Sequence, residues 1–250
     1  MVDAAFNLQD GFIMHGASWL MLVAAASVGM LFFANVRGDL PVRELVPNYA
    51  DGPSRFAMIE GMRVHYRDEG SGPALILIHG TSSSLHTWDG WVERLRAHHR
   101  IIRLDLPGFG LTGPAPDGDY RPSRDARVVV SLMSQLGVER ADVAGNSLGG
   151  RVALMLALDY PDRVRRLVLI DSRGLSGQEP TRIERIIDIP VIGKGVRWVT
   201  PRSLVRRTLE ESYADPSRIS ESLVDRYDDL MRREGNRQAL IDARDRKSVV

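Results

Sequence analysis

The chain has 250 residues, 33 Lys and Arg against 32 Asp and Glu, a formal net charge of +1 and a hydrophobic share of 44 %. Charge this balanced offers no polycation for nucleic acid, and with no cysteine the chain has neither disulfides nor thiolate metal sites. The length suits one globular domain with a sizeable core and a short additional segment; no internal repeats are seen.

From Gly11 to Val36 there is no Asp, Glu, Lys or Arg, and residues 17–36 are almost wholly apolar. About twenty such residues cross the hydrocarbon core of a bilayer, so residues 1–37 are predicted to carry a single-pass transmembrane helix at 17–36. Asp3 and Asp10 make the start acidic, unlike a signal peptide. Arg37 and Arg43 follow the segment and no basic residue precedes it, which leans the remaining chain toward the cytoplasmic side. Residues 38–54, with Pro41, Pro47 and Pro53, read as an extended linker to the domain.

An early strand of the domain is read at Met62 to Arg67. Ala74 to His79 (ALILIH) is a continuous apolar run suited to a central parallel strand, followed by the small polar loop Gly80-Thr81-Ser82-Ser83-Ser84. Such a loop can turn backbone N–H groups toward a developing oxyanion. An amphipathic helix ending at His98 and His99 leads to a second buried strand, Ile101 to Asp105, and to the turn-forming Leu106-Pro107-Gly108-Phe109-Gly110. No dinucleotide fingerprint or P-loop is expected here. Ala141 to Ala144 reads as another buried strand, entering Gly145-Asn146-Ser147-Leu148-Gly149. A G-x-S-x-G between strand and helix forces the serine into a strained turn with its hydroxyl clear of the sheet. Ser147 to Tyr160 has helical spacing and stops at Pro161, and Val164 to Asp171 is a sixth strand. Strands and helices alternating in this order imply a mostly parallel sheet with helices on both faces.

Three segments, HGTSSSLHTW at 79–88, DLPGFGLT at 105–112 and GNSLGG at 145–150, together resemble the signatures of the α/β-hydrolase family over about residues 55 to 240. The resemblance implies Ser147 as nucleophile and the backbone N–H groups of Thr81 and Leu148 as oxyanion donors. Serine at this position fits the esterase, lipase, peptidase and C–C hydrolase branches rather than those with an aspartate nucleophile. On this reading residues 55–176 are the core and 177–236 a helical cap, with Ile186, Ile187, Ile189, Val191 and Ile192 as apolar cover. Residues 237–250 would be a return to the core whose last strands and helices are missing. The final residues 245–250 (DRKSVV) equal the translation of a common sequencing adapter, so they are expected to be artefact and the chain a fragment.

A serine hydroxyl needs a base within hydrogen-bond reach and a carboxylate to orient it. In the family the order is Ser, then Asp or Glu, then His. The six histidines, His15, His65, His79, His86, His98 and His99, all precede Ser147, so no base is expected in this chain. His79 is read as support for the oxyanion loop. Asp171 is the candidate acid, since some family members take theirs from the end of this strand; it equally fits a turn cap or an arginine partner.

The expectation is thus a membrane-anchored serine hydrolase acting on a carboxylic ester or related acyl compound, with no metal or organic cofactor and little activity as the chain stands. Two alternatives remain: a non-catalytic protein binding a ligand or partner on a hydrolase scaffold, and a C–C bond hydrolase or lactonase.

Overall fold

A computed structural model describes residues 36–172 and 198–245, with Trp19, Ser27, Met30, Arg185, Ile189 and Gly195 as single positions outside these stretches. Six strands form one sheet: β1 (Ser54–Ile59), β2 (Met62–Glu69), β3 (Ala74–Ile78), β4 (Arg100–Leu104), β5 (Ala141–Asn146) and β6 (Val164–Ile170). Their order is β1-β2-β4-β3-β5-β6, parallel from β4 through β3 and β5 to β6, with β2 antiparallel to β4 and to β1.

The apolar runs follow from this central position. In β3, Ile76 and Ile78 face the main core, while Leu75 and Leu77 pack with Trp88, Val92 and Ile101 on the opposite face. Each buried aliphatic side chain contributes about 2 kcal/mol. Helices α3 (Pro122–Gln135) and α4 (Leu148–Asp159) cover the main-core face, and α2 (Asp89–Leu95) lies on the other. β6 pairs only with β5 among the described residues, and Val168 on it is 44 % exposed.

Three expectations change. The membrane location is overturned: among the described residues no helix is long and apolar enough to cross a membrane. Most of 17–36 lies outside the described residues, but Val36, the end of the expected span, bridges to Val199, and Arg37 N–H donates to Trp198 C=O at 3.1 Å. In place of an extended linker, α1 (Val42–Tyr49) is a helix with Pro47 inside it. Leu45 is buried against Leu111 and Leu230, Arg37 pairs with Asp228 at 2.7 Å, and Tyr49 Oη donates to Asp229 at 2.8 Å. Burial of Leu45, worth about 2 kcal/mol, and these anchors outweigh the proline. Finally, a strand that was not expected, β1, precedes the one at Met62–Arg67: Glu60 and Gly61, both at positive φ (48° and 78°), close a two-residue hairpin of the kind that matches strand twist.

After β6 the described chain resumes as α5 (Arg202–Ser212) and α6 (Glu221–Met231), joined by a short 3-10 turn at Pro216–Arg218. Val205, Leu209, Ile219 and Val224 form their own small core. Helix α7 (Asn236–Asp245) returns to the sheet, with Leu240 and Ile241 in the main cluster. The proposed artefact lies outside the described residues except for Asp245.

Candidate active site

The site stands at the carboxyl ends of β3, β5 and β6. Ser147 sits between β5 and α4 at φ 52°, ψ −113°, in the left-handed half of backbone space that costs a non-glycine residue on the order of 1–3 kcal/mol. Its neighbours explain how the turn is held. A Cβ at Gly145 would lie 2.2 Å from Gly149 C=O, and one at Gly149 would lie 2.2 Å from Ile78 C=O. Only glycines let strand, turn and helix approach this closely. Ser147 N–H donates to Ile170 C=O at 2.9 Å, tying the elbow to β6.

The loop after β3 is the second part. Ser82 adopts φ 57°, Ser83 N–H donates to Gly80 C=O at 3.3 Å, and Ser83 Oγ meets Tyr227 Oη of α6 at 3.1 Å. Fully buried His79 spans from this loop to the next: Nδ1 donates to Gly80 C=O at 2.8 Å and Nε2 accepts Leu106 N–H at 3.0 Å. Burial lowers its pKa, keeping the ring neutral. With both nitrogens committed, His79 serves the loop and has no lone pair left for a serine proton.

Asp105 is a hub that sequence reasoning did not single out. Its buried carboxylate accepts Leu85 N–H at 2.7 Å, Leu111 N–H at 2.8 Å and His65 Nδ1–H at 2.7 Å. Burial would raise its pKa, but the charge interaction and hydrogen bond with His65 outweigh that, helped by His79 and His86, and hold it well below the usual carboxylate range. The same hub accounts for a glycine pattern. Gly108, Gly110 and Gly113 do have the spacing of a dinucleotide fingerprint, contrary to expectation, yet they open no helix; the next one begins at Pro122. A Cβ on Gly110 would instead strike the Asp105 carboxylate at 2.1 Å.

Asp171 follows β6 at φ 44° with an exposed side chain, and it lines one cavity together with Ser147. That cavity, about 700 Å³, is also lined by Gly80, Thr81, Trp88, Trp91, Val205, Leu209, Tyr213, Tyr227 and Met231. Thr81 and Leu148 share a separate, small cavity with Asp125 of α3, whose Oδ1 is buried without a partner. Burial pushes the Asp125 carboxyl well above its ordinary range, so it is carried as a neutral acid. Of the apolar cover expected from the cap, Ile186, Ile187, Val191 and Ile192 lie outside the described residues, and Ile189 is 43 % exposed. Helices α5 and α6 provide the described cover.

No described histidine supplies a base to Ser147. His65 is held by Asp105 and Ser54, and His86 by Ser84 and the Tyr49 carbonyl. His98 and His99 lie by Gly70 and Gly72, at the amino ends of β3 and β4. They are a strand length, roughly 16 Å, from the elbow, whereas a base must come within about 3 Å. His15 lies outside the described residues.

Comparison with known proteins agrees with this geometry. Residues 73–188 match the family described as alpha/beta hydrolase fold. The chain is 40 % identical over 127 residues to 2-hydroxymuconate semialdehyde hydrolase of a Pseudomonas species, covering 49 % of this chain and 44 % of that protein. It is 35 % identical over 131 residues to 2-hydroxy-6-oxo-6-phenylhexa-2,4-dienoate hydrolase of Comamonas testosteroni, covering 49 % and 46 %. The chain thus spans less than half the length of these relatives. Among solved structures, a meta-cleavage product hydrolase of Pseudomonas fluorescens superposes with a TM-score of 0.64 at 25 % identity, over 75 % of this chain and 66 % of that one. From the sheet order, the strained serine elbow and the matched segment, the chain has the α/β-hydrolase fold, and its residues 73–188 are similar to the family of that description.

Proposed function

We propose that the site is that of a serine hydrolase for small carbonyl compounds, with a neutral carboxylic ester as the favoured substrate. Ser147 Oγ would attack the carbonyl carbon while the N–H groups of Leu148 and Thr81 receive the oxygen as it becomes negative. The hydroxyl proton must pass to a base and then to the leaving alkoxide. No described histidine is placed to take it, and ester turnover close to the uncatalysed rate is expected. Asp171 would steady a cation formed near Ser147.

The single observation that carries this reading is the strained Ser147 backbone held open onto a roomy cavity. The cavity's charge favours a neutral substrate. Its described lining holds the carboxylates of Asp171 and Glu211 and no Lys, Arg or His. A dienoate anion would be repelled by Asp171.

The second reading, a C–C bond hydrolase, is favoured by the relatives at 35–40 % identity that are named for such substrates. Capture of Ser147 by a fluorophosphonate probe, with imidazole added as the base, followed by competition with p-nitrophenyl butyrate or with 2-hydroxy-6-oxo-6-phenylhexa-2,4-dienoate, separates the readings. Protection by the neutral ester supports the favoured reading, and protection by the dienoate alone supports the second. Capture no greater than in Ser147→Ala would refute both and leave a ligand-binding scaffold.

A further inference from the structure

A second cavity, about 450 Å³, opens at the seam between the α6 helix and the sheet domain, on the far side of the wall that bounds the Ser147 cavity. The two cavities share that wall. In the turn and helix after β3, His86 and Asp89 line the second cavity while Thr87 and Trp88 line the first. On α6, Arg226 lines the second and Tyr227 the first.

The second cavity is polar and cationic. Arg67, Arg218 and Arg226 line it against two acids, Asp51 and Asp89. Asp51 is taken up by Arg67, and Asp89 is shared between Arg226 at 3.3 Å and the buried Arg103. That leaves cationic capacity unmatched. Arg218 has no salt bridge with a carboxylate among the described residues; nearby Asp215 accepts from Ser217 N–H and Oγ. Arg226 Nε is buried with no hydrogen-bond partner, a donor whose desolvation nothing in the described chain offsets. The hydroxyls of Ser220 and Ser222 stand at the same rim, 2.9 Å apart. His86 adds no charge: burial chiefly, with Arg67 and Arg226 assisting against Asp105, pushes its pKa to about 4.

From this cavity, its unmatched guanidinium groups and the flanking hydroxyls, we infer a binding site for a phosphate-type dianion that bridges α6 to the sheet domain. Guanidinium forks pair with tetrahedral oxyanions through two parallel N–H bonds, and serine hydroxyls supply the remaining donors. The volume exceeds that of inorganic phosphate, so the anion is either free or the phosphomonoester head of a small molecule. An occupant would bind Arg218 and Arg226 on the cap side and Arg67 on the domain side, holding the shared wall rigid.

The test is thermal unfolding of the full chain with inorganic phosphate, and separately with glycerol 3-phosphate, against sodium chloride at matched ionic strength. A saturable rise in Tm on the order of 3 °C is expected with phosphate. Arg218→Ala, an exposed position, and Arg226→Gln, which keeps a donor, should each weaken apparent affinity at least tenfold. Arg202→Ala, an ion-paired arginine elsewhere on the cap, should not. Tighter saturation by glycerol 3-phosphate identifies a phosphomonoester as the occupant, and equal or weaker saturation identifies the free anion. A rise reproduced by chloride, an absent rise, or one unchanged in both Arg218→Ala and Arg226→Gln overturns the site.

Discussion

Replacing Asp105 with asparagine tests the architecture that positions the loops around Ser147. The carboxylate accepts three hydrogen bonds, from Leu85 N–H, Leu111 N–H and His65 Nδ1–H, all with no access to water. The asparagine keeps one acceptor oxygen and turns an NH₂ group toward at least one of these donors. Each bond to a charged acceptor is worth about 1.5–3 kcal/mol net, and breaking a buried pair from one side costs about 3–5 kcal/mol. These figures describe overlapping interactions and do not add. The expected loss is therefore about 3–5 kcal/mol, a large part of the 5–15 kcal/mol typical of a domain. Urea unfolding should show a lower midpoint at unchanged slope. The pH dependence gives a second reading. The native pKa of Asp105 is depressed, so its stabilisation is complete above about pH 4 and fades as pH falls below the unfolded value. The gap between parent and Asp105→Asn should hold from pH 7 to 5 and narrow below 4. A loss under 1 kcal/mol, or a gap that widens in acid, would refute the hub.

Other substitutions probe the elbow and its surroundings. Gly149→Ala places a methyl 2.2 Å from the Ile78 carbonyl, and the backbone cannot yield as a side-chain tip would. A cost of about 3 kcal/mol or failure to accumulate soluble protein is expected, and a neutral outcome in chemical denaturation would contradict the packing. Ser147→Gly removes a side chain from a strained backbone and should raise stability by about 1 kcal/mol while abolishing probe capture. A fall in Tm would show that the strain is not there. Asp125→Asn should stabilise the protein at pH 7, because the native pKa is raised and the acid's favourable contribution is lost as pH climbs above the unfolded value near 4. Equal stability changes at pH 4 and pH 8 would count against a neutral buried acid.

The parts legible in the sequence are those whose local pattern and tertiary role coincide. Strands β3, β4 and β5 are buried on both faces, so they appear as unbroken apolar runs, and the Gly145 to Gly149 turn has a geometry that few residue types satisfy. Other parts depended on distant partners. The three prolines of 38–54 pointed to an extended linker, yet Leu45 finds Leu111 and Leu230, and the segment becomes α1 followed by β1. Glu60-Gly61 was the available signal for that hairpin. Asp105 carried a weaker one, a carboxylate ending an apolar strand before a Pro-Gly turn. Its role depends on His65, forty residues earlier in the chain, which no local pattern reveals. The apolar stretch at 17–36 met a membrane length criterion, but no described helix does.

Chemical rescue most directly tests the proposal that Ser147 is a nucleophile with no histidine base among the described residues. The chain is given p-nitrophenyl butyrate with increasing imidazole, and the rate of Ser147→Ala under the same conditions is subtracted. Imidazole entering the roomy cavity can take the Ser147 proton and return it to the leaving phenolate, a role usually worth about 10²- to 10⁴-fold. Ser147-dependent turnover is expected to be negligible without imidazole and to rise saturably, on the order of tenfold or more, following the neutral form of imidazole as pH is varied. Parent and Ser147→Ala rates that coincide at every imidazole concentration would contradict the nucleophile, and brisk Ser147-dependent hydrolysis without imidazole would contradict the missing base.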